Sequence, residues 1–290
     1  MKKYVKMLLS TLFVLLTLCS CNISFDNVIT TPKGTLAVHF LDIGQGDSIF
    51  IELPNSQTML VDAGENYYGE GIIDYIYDCG YEKLDYLVAT HPHSDHIGSM
   101  SYIVRHMDID AVYMPKVSTT TKTYENLLDS ISKKGLKIKT AMAGTKILDI
   151  DELEIVILAP VEIYEDDLNN CSVILKITYK DRSFLLTGDA EKKEFEDVYL
   201  DMSADVLKVA HHGSSTSTTE EILEKIKPEI AVISLGEDNE YGHPYTSTLK
   251  LLNNIDCDIY RTDEDKTVKI STDGENLEVE TDRPSIERAK

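Results

Sequence analysis

The sequence predicts an α/β protein of two packed sheets flanked by helices, on three observations. Short apolar runs recur from residue 35 to residue 280, bounded by Gly, Pro, Asn and Asp. Helical periodicity is interspersed among them, sparsely in the first half and regularly after residue 190. Finally, 42% of the 290 residues are hydrophobic, enough for a sizeable core, while 15 Gly and 8 Pro are too few for a fibre. That apolar content also excludes a disordered acidic chain. Without an internal repeat or a Pro/Ser-rich linker, one domain is expected.

Strands are expected at 35–41, 48–53 and 58–61, separated by the turn sequences Gly44-Gln45-Gly46-Asp47 and Pro54-Asn55-Ser56. The first helix, 72–79, shows itself by Ile and Tyr spacing, and a buried strand follows at 84–89, then a helix at 99–106. A helix at 124–134 leads into strands at 136–141, 153–159, 173–179 and 183–186. From there the alternation is regular: helix 192–200, strand 206–210, helix 219–226, strand 230–235, helix 246–254, strand 256–260. Asp273-Gly274 marks a final hairpin of 266–271 and 276–280.

The chain carries 28 Lys+Arg against 50 Asp+Glu, a net charge of -22. Such acidity weighs against a tight, sequence-blind grip on nucleic acid, because each phosphate contact calls for a cation. The charge is uneven. Residues 1–21 hold no Asp or Glu, and Lys2, Lys3 and Lys6 precede an apolar run over 7–18, too short for an ordinary membrane span. This reads as an export signal over residues 1–20, followed by a tether over 21–34. Its removal leaves 25 of the 28 basic residues against all 50 acidic ones, or −25. Leu18-Cys19-Ser20-Cys21 resembles the lipobox of bacterial lipoproteins, which implies lipidation of Cys21 and a membrane-surface location outside the cytoplasm. Cys19 departs from the small residue usual at that place. Cys79, Cys171 and Cys257 are odd in number and widely spaced, so they read as small buried hydrophobes and not as a disulfide framework.

The chemistry concentrates in His91-Pro92-His93-Ser94-Asp95-His96, directly after the strand at 84–89. Three imidazoles and a carboxylate at that density are hard to justify as packing, since each buried ring needs its own partner. Metal coordination satisfies them together: His91 and His93 point the same way in an extended loop, while Asp95 and His96 can turn to a second ion. Nitrogen and oxygen donors suit Zn²⁺, one or two ions, with Mn²⁺ or Fe as alternatives. His39 in a strand and His106 at a helix end read as structural. Lys133, Lys134, Lys137 and Lys139 form the notable basic cluster and read as a solvated helix end.

His91-x-His93-x-Asp95-His96 is similar to the signature of the metallo-β-lactamase superfamily, and other segments fit in order. Leu60-Val61-Asp62-Ala63-Gly64 resembles its first motif, and Leu-Leu-Thr-Gly-Asp-Ala ending at Ala190 resembles the one whose Asp, here Asp189, bridges two metals. The run from Phe40 to Asp47, Ala210-His211-His212-Gly213-Ser214 and Tyr241-Gly242-His243-Pro244 resemble the hydrolase domain of ComEC-type DNA-uptake proteins. The resemblance implies a four-layer αββα sandwich over 35–281 with a tail at 282–290. It implies metal ligands at His91, His93, Asp95, His96 and Asp189, with His243 completing the second site, or else His211 or His212. With His243 as ligand, His211 or His212 would hold a phosphate oxygen or protonate the leaving group, with Asp95 assisting the nucleophile. Asp62, Asn170 and Ser214 would support the site. Asn169-Asn170-Cys171-Ser172 stands where the superfamily usually supplies a third histidine to the first metal, a departure shared by the ComEC-type branch. A further departure is that no apolar stretch could form a transmembrane channel.

Three functions are weighed on this basis. A phosphodiesterase or nuclease is favoured, since a bound divalent ion supplies hydroxide near neutral pH and the positive charge that phosphate needs. Its substrate would be a short or single-stranded nucleic acid or small phosphodiester, because the cations come from metal and not from lysine. The others are a hydrolase of an ester, lactone or β-lactam, and a non-catalytic metal-binding surface lipoprotein, against which intact Asp95 and Asp189 speak. Gly213 to Thr219 leads into a helix and reads either as a capping loop or as a phosphate-binding turn.

Overall fold

The computed structural model describes residues 31–283 and 285–289, so the expected export signal and Cys21 lie outside the described residues. Strands β1 (Leu36–Phe40), β2 (Ile49–Glu52) and β3 (Thr58–Val61) form an antiparallel meander. Helix α1 (Gly69–Asp78) then crosses to β4 (Lys83–Val88), which pairs parallel to β3. Helices α2 (Ser94–Ile97) and α3 (Met100–His106) lead to β5 (Asp108–Met114), and α4 (Lys122–Lys133) to β6 (Ile138–Thr140). The second sheet opens with β7 (Lys146–Ile150), β8 (Leu153–Ala159), β9 (Ile174–Tyr179) and β10 (Arg182–Leu186), all antiparallel. It continues through α5 (Lys192–Asp197), β11 (Val206–Lys208), α6 (Glu220–Ile226), β12 (Ile230–Ile233), α7 (Thr246–Asn254) and β13 (Asp258–Arg261), whose strands run parallel. After α8 (Thr262–Asp265), β14 (Thr267–Thr272) and β15 (Leu277–Arg283) return to the first sheet beside β1.

Strand alternation divides the burial into layers. Leu36, Val38 and Phe40 face the second sheet, where they meet Ile155, Ile157, Leu175, Phe184 and Val206 in the central core. Phe50, Leu60 and Leu87 face outward and are covered by Ile72 and Ile76 of α1 and by Ile103, Val104 and Leu127. On the other side Leu185, Leu207 and Ala231 are covered by Ile222, Leu223 and Leu252. This is the expected αββα sandwich.

Two strands escape the sequence reading. β5 begins on two exposed aspartates, Asp108 and Asp110, with only Met107 between it and the preceding helix. β7 is an edge strand with a single buried position. The chain end is not a free tail: β15 reaches Arg283, Ile286 is buried against α1, and its N–H donates to Asp42 O at 2.8 Å. The lysine cluster disperses, with Lys133 paired to Asp129, Lys134 to Asp108, and Lys139 over the Tyr113 ring. Among the described residues no helix is long and apolar enough to cross a membrane.

The parallel strands decide where chemistry gathers. The segments leaving the C-terminal ends of β3, β4, β10, β11 and β12 open toward one edge of the sandwich, and they carry Asp62, the His91–His96 loop, Asp189, His211 with His212, and His243. A parallel sheet concentrates binding residues at this end.

Candidate metal centre

Asp62, at φ 59°, turns its carboxylate back under the histidine loop. It accepts from the Thr90 N–H (2.8 Å), the Thr90 hydroxyl (2.6 Å) and His96 Nδ1 (2.8 Å). With Nδ1 engaged, His96 presents Nε2 to the site. His91 Nδ1 is held by Thr90 Oγ1 and Ser172 Oγ at 3.1 and 3.3 Å, so its Nε2 likewise faces inward, 3.0 Å from His93 Nδ1. Gly46, at φ 123°, lets the Gly44–Asp47 turn press on this loop. A Cβ there would lie 2.2 Å from Asp95 O.

Asp189 divides the site in two. One carboxylate oxygen lies 3.2 Å from His96 Nε2 and 3.5 Å from His212 Nε2; the other lies 3.9 Å from His91 Nε2 and 3.8 Å from His211 Nε2. Asp95 adds Oδ2 at 3.4 Å from His212 Nε2 and 3.8 Å from His96 Nε2. His96 Nε2, His212 Nε2 and Asp189 Oδ1 are buried without a hydrogen-bond partner. Orphaned donors and acceptors converging like this are costly unless a further group satisfies them. Asp95, His96, Asp189 and His212 together present one oxygen or nitrogen each within 4.8 Å of one another, a set that fits a divalent metal ion.

The charges of these groups are strongly interdependent. Burial raises the cost of charging Asp189, yet the His96 and His212 imidazoles hold it well below the carboxylate range. Asp95 is likewise low, burial being overcome by His96 and His212. Burial lowers His96 and His212, but Asp189 and Asp95 outweigh it and raise both above the imidazole range. His91 is pushed well down by burial and the neighbouring His96, which keeps it neutral as a ligand must be.

Sequence order favours His243 as the completing ligand; in the structure it is His212 whose ring nitrogen clusters with Asp95, His96 and Asp189. His212 donates from Nδ1 to Ser234 O at 2.8 Å and aims Nε2 at the Asp95–Asp189 pair. His243 stands outside that quartet, its ring centroid 6.4 Å from that of His212, and burial with the two neighbouring imidazoles lowers it to about 4. The reason is backbone conformation. His211 and His212 both adopt left-handed φ, 49° and 52°, which brings two consecutive side chains to one site.

Asn170 does not face the cleft. Its Oδ1 accepts from the N–H groups of Glu191 and Glu194, and its amide donates to Asp167, so it braces the segment after Asp189. Ser214 is buried and bonded to Thr216, supporting the His211–His212 turn from behind. Thr219 caps α6 by accepting from Ile222 N–H. A cleft of roughly 310 Å³ opens above the metal quartet, lined by His93, His211 and His243 and also by Gln45, Asn169 and Tyr241.

Three groups important to this geometry were not singled out as site residues from sequence. Glu191 places Oε1 3.2 Å from His211 Nδ1 and fixes that ring. Asp47 and Lys208 form an ion pair beneath the quartet. A signal existed for Lys208, a lone lysine within the apolar run Val206-Leu207-Lys208-Val209-Ala210, where a charge is unexpected unless paired.

The comparisons with known proteins agree with this architecture. The family model for the metallo-beta-lactamase superfamily matches residues 41–237. ComE operon protein 3 of Bacillus subtilis is 32% identical over 252 residues, covering 80% of this chain and 32% of that protein. Recombination protein 2 of Haemophilus influenzae is 28% identical over 278 residues, covering 93% and 33%. The chain thus spans about a third of the length of these curated relatives. CmlA, a diiron beta-hydroxylase from Streptomyces venezuelae, shares the fold with a TM-score of 0.56 at 15% identity, over 83% of this chain and 54% of that one. With its His/Asp cluster at the C-terminal ends of the parallel strands, this chain belongs to the metallo-β-lactamase superfamily.

Proposed function

We propose that this protein is a metal-dependent phosphodiesterase acting on short or single-stranded nucleic acid. The observation that carries the reading is Asp189, whose two oxygens face two groups of donors in an open cleft. One Asp189 oxygen stands beside His91, whose Nε2 lies 3.0 Å from His93, and these would form one donor set; Asp95, His96 and His212 beside the other oxygen would form the second. Bound there, one or two Zn²⁺ or Mn²⁺ ions would supply Lewis-acid stabilisation of phosphoryl charge and hydroxide at neutral pH. His211, fixed by Glu191 and lining the cleft, is placed to hydrogen-bond a phosphate oxygen or to pass a proton to the leaving oxygen. Asn169 presents a buried, unpartnered Oδ1 beside the cleft and can orient a polar group of the substrate.

That no Lys or Arg lines the cleft among the described residues supports a small or flexible substrate over a tightly gripped duplex. A relative named for recombination supports nucleic acid as the substrate class. We further assign residues 1–20 to export and Cys21 to lipid attachment, which would hold the catalytic domain at the extracytoplasmic face of a bacterial membrane. Mass spectrometry of the N-terminal peptide tests that assignment: an unmodified Cys21 removes it.

The decisive assay is a reporter panel on metal-reconstituted protein: a bis-aryl phosphodiester, a single-stranded oligonucleotide, a lactone and a β-lactam. Hydrolysis of the phosphodiesters, lost in a His93→Ala/Asp189→Ala variant, is the expected result. Cleavage of the lactone or β-lactam with no phosphodiester turnover overturns the reading.

A further inference from the structure

We propose that Tyr241 and Tyr245 form a stacking platform for a nucleobase at the mouth of the cleft. The platform thereby makes base-bearing strands the preferred substrates over other phosphodiesters. Tyr241, which lines the cleft, is 64% exposed and Tyr245 is 43% exposed, so both rings are accessible to a ligand. Tyr241 stacks on His243, with centroids 5.7 Å apart and planes at 21°, so one face is covered and the other is open. Tyr245 leans on the same imidazole at 5.5 Å and 52°. His243 in turn lies 5.7 Å from the His211 ring, so the aromatic series runs from solvent to a histidine lining the cleft.

The segment presenting these rings is fixed before any ligand arrives. Asn239 accepts from the His243 N–H at 3.0 Å and donates to Gly236 O and His243 O at 3.1 and 2.8 Å. The Tyr245 N–H donates to Gly213 O at 3.0 Å, tying the segment to the His211–His212 turn. A rigid aromatic platform gains affinity because little side-chain entropy remains to be lost.

Charge selects the occupant. Among the described residues no Lys or Arg lines the cleft, so its wall offers a polyanion no ion pairing of its own. Stacking on an aromatic face is indifferent to that charge, and every base has a π-face. A base seated on Tyr241 places its phosphodiester inward, toward His211 and Asp189. The inference rests on the phosphodiesterase reading for the presence of a strand at this cleft.

The test compares two nuclease-resistant phosphorothioate oligonucleotides of equal length, one with bases and one abasic, binding to the Zn²⁺-loaded protein by fluorescence anisotropy. The base-bearing strand should bind about tenfold tighter or more, as stacking on one or two rings implies. Tyr241→Leu/Tyr245→Leu should bring the two strands within about twofold, whereas Tyr241→Phe/Tyr245→Phe should keep the preference. Equal binding of both strands by the unaltered protein, or a preference surviving in the leucine variant, overturns the platform. Failure of the underlying reading looks different: base preference would persist while no reporter phosphodiester is hydrolysed. Hydrolysis of the bis-aryl reporter with no base preference removes the platform and leaves the activity.

Discussion

Lys208 and Asp47 form an ion pair shut off from solvent, and through it the two halves of the site are joined. Alternation along β11 puts Lys208, like Val206, on the face between the sheets, where an unpaired ammonium would be untenable. Its Nζ also donates to Gly188 O at 3.2 Å, next to Asp189. The Asp47 N–H donates to Asp95 O at 3.1 Å, and its carboxylate lies 3.6 Å from His212 Nδ1 and 3.8 Å from His96 Nδ1. Removing one partner strands the other charge, so Lys208→Met should cost about 3–5 kcal/mol in urea unfolding. An Asp47→Leu/Lys208→Met variant should recover much of that stability yet bind metal less tightly. A single-variant loss below about 1 kcal/mol, the range of an exposed pair, would show the pair to be unimportant.

Asp62 acts one step further from the metal set. Because it accepts at once from Thr90 and from His96 Nδ1, it fixes both the rotamer and the tautomer of a candidate ligand. Asp62→Ala should weaken Zn²⁺ affinity by about 10- to 100-fold, measured by competition with a chelating dye, and leave the fold intact by circular dichroism. An unchanged affinity would assign Asp62 to packing alone.

The histidine loop was legible because its donors are contiguous: four of them fall within six residues, and a strand precedes them. The outer helices and most strands were legible because one side of each meets a core and repeats at the proper period. What escaped depends on contacts between distant segments. Nothing near Asp47 in the chain announces Lys208 as its partner, and nothing near His211 shows that Glu191 will hold its ring. The nearness of His212 to the Asp95–Asp189 pair depends on two consecutive non-glycine residues with positive φ, a conformation that composition does not announce. Asn170, chosen for its place in the order of motifs, became a brace because its amide is taken up by the backbone beyond Asp189.

The two histidines are separable by metal content. His212→Ala removes a member of the buried quartet and should lower the bound Zn²⁺ by about one ion per chain when read by mass spectrometry. His243→Ala touches none of those atoms and should leave the metal content unchanged while altering substrate binding. The opposite pattern would restore His243 to the ligand set.

Metal binding should compete with protons. Asp189 and Asp95 raise His96 and His212 above the ordinary imidazole range in the metal-free protein, burial notwithstanding. Each ring must lose a proton at Nε2 before that nitrogen can bind an ion, so Zn²⁺ affinity should rise as pH increases through and above neutrality. Calorimetry in buffers of different ionisation enthalpy should register the released protons. An affinity constant between about pH 6 and pH 8 would exclude protonated ligands in the free site.

Acid stability should depend on a pair far from the metals. His39 Nε2 donates to Glu52 Oε1 at 2.8 Å, while its Nδ1 accepts from the Tyr75 hydroxyl at 2.8 Å, beneath α1. Burial lowers His39 from its ordinary value of 6.5, more than Glu52 raises it. Burial would raise Glu52 from 4.5, but bonds from His39, Thr31 and Tyr81 outweigh it and leave the carboxyl low. With both folded-state values depressed, the unfolded chain binds more protons in acid, so this contribution is present near neutrality. The imidazole's share declines as pH falls below about 6.5, where the unfolded chain begins to take up that proton, and the carboxyl's share below about 4.5. A His39→Leu/Glu52→Leu variant should therefore show a shallower decline in urea midpoint between about pH 7 and pH 4 than the unaltered chain. Parallel declines would mean that other carboxylates carry the acid transition and that the His39–Glu52 pair titrates alike in both states.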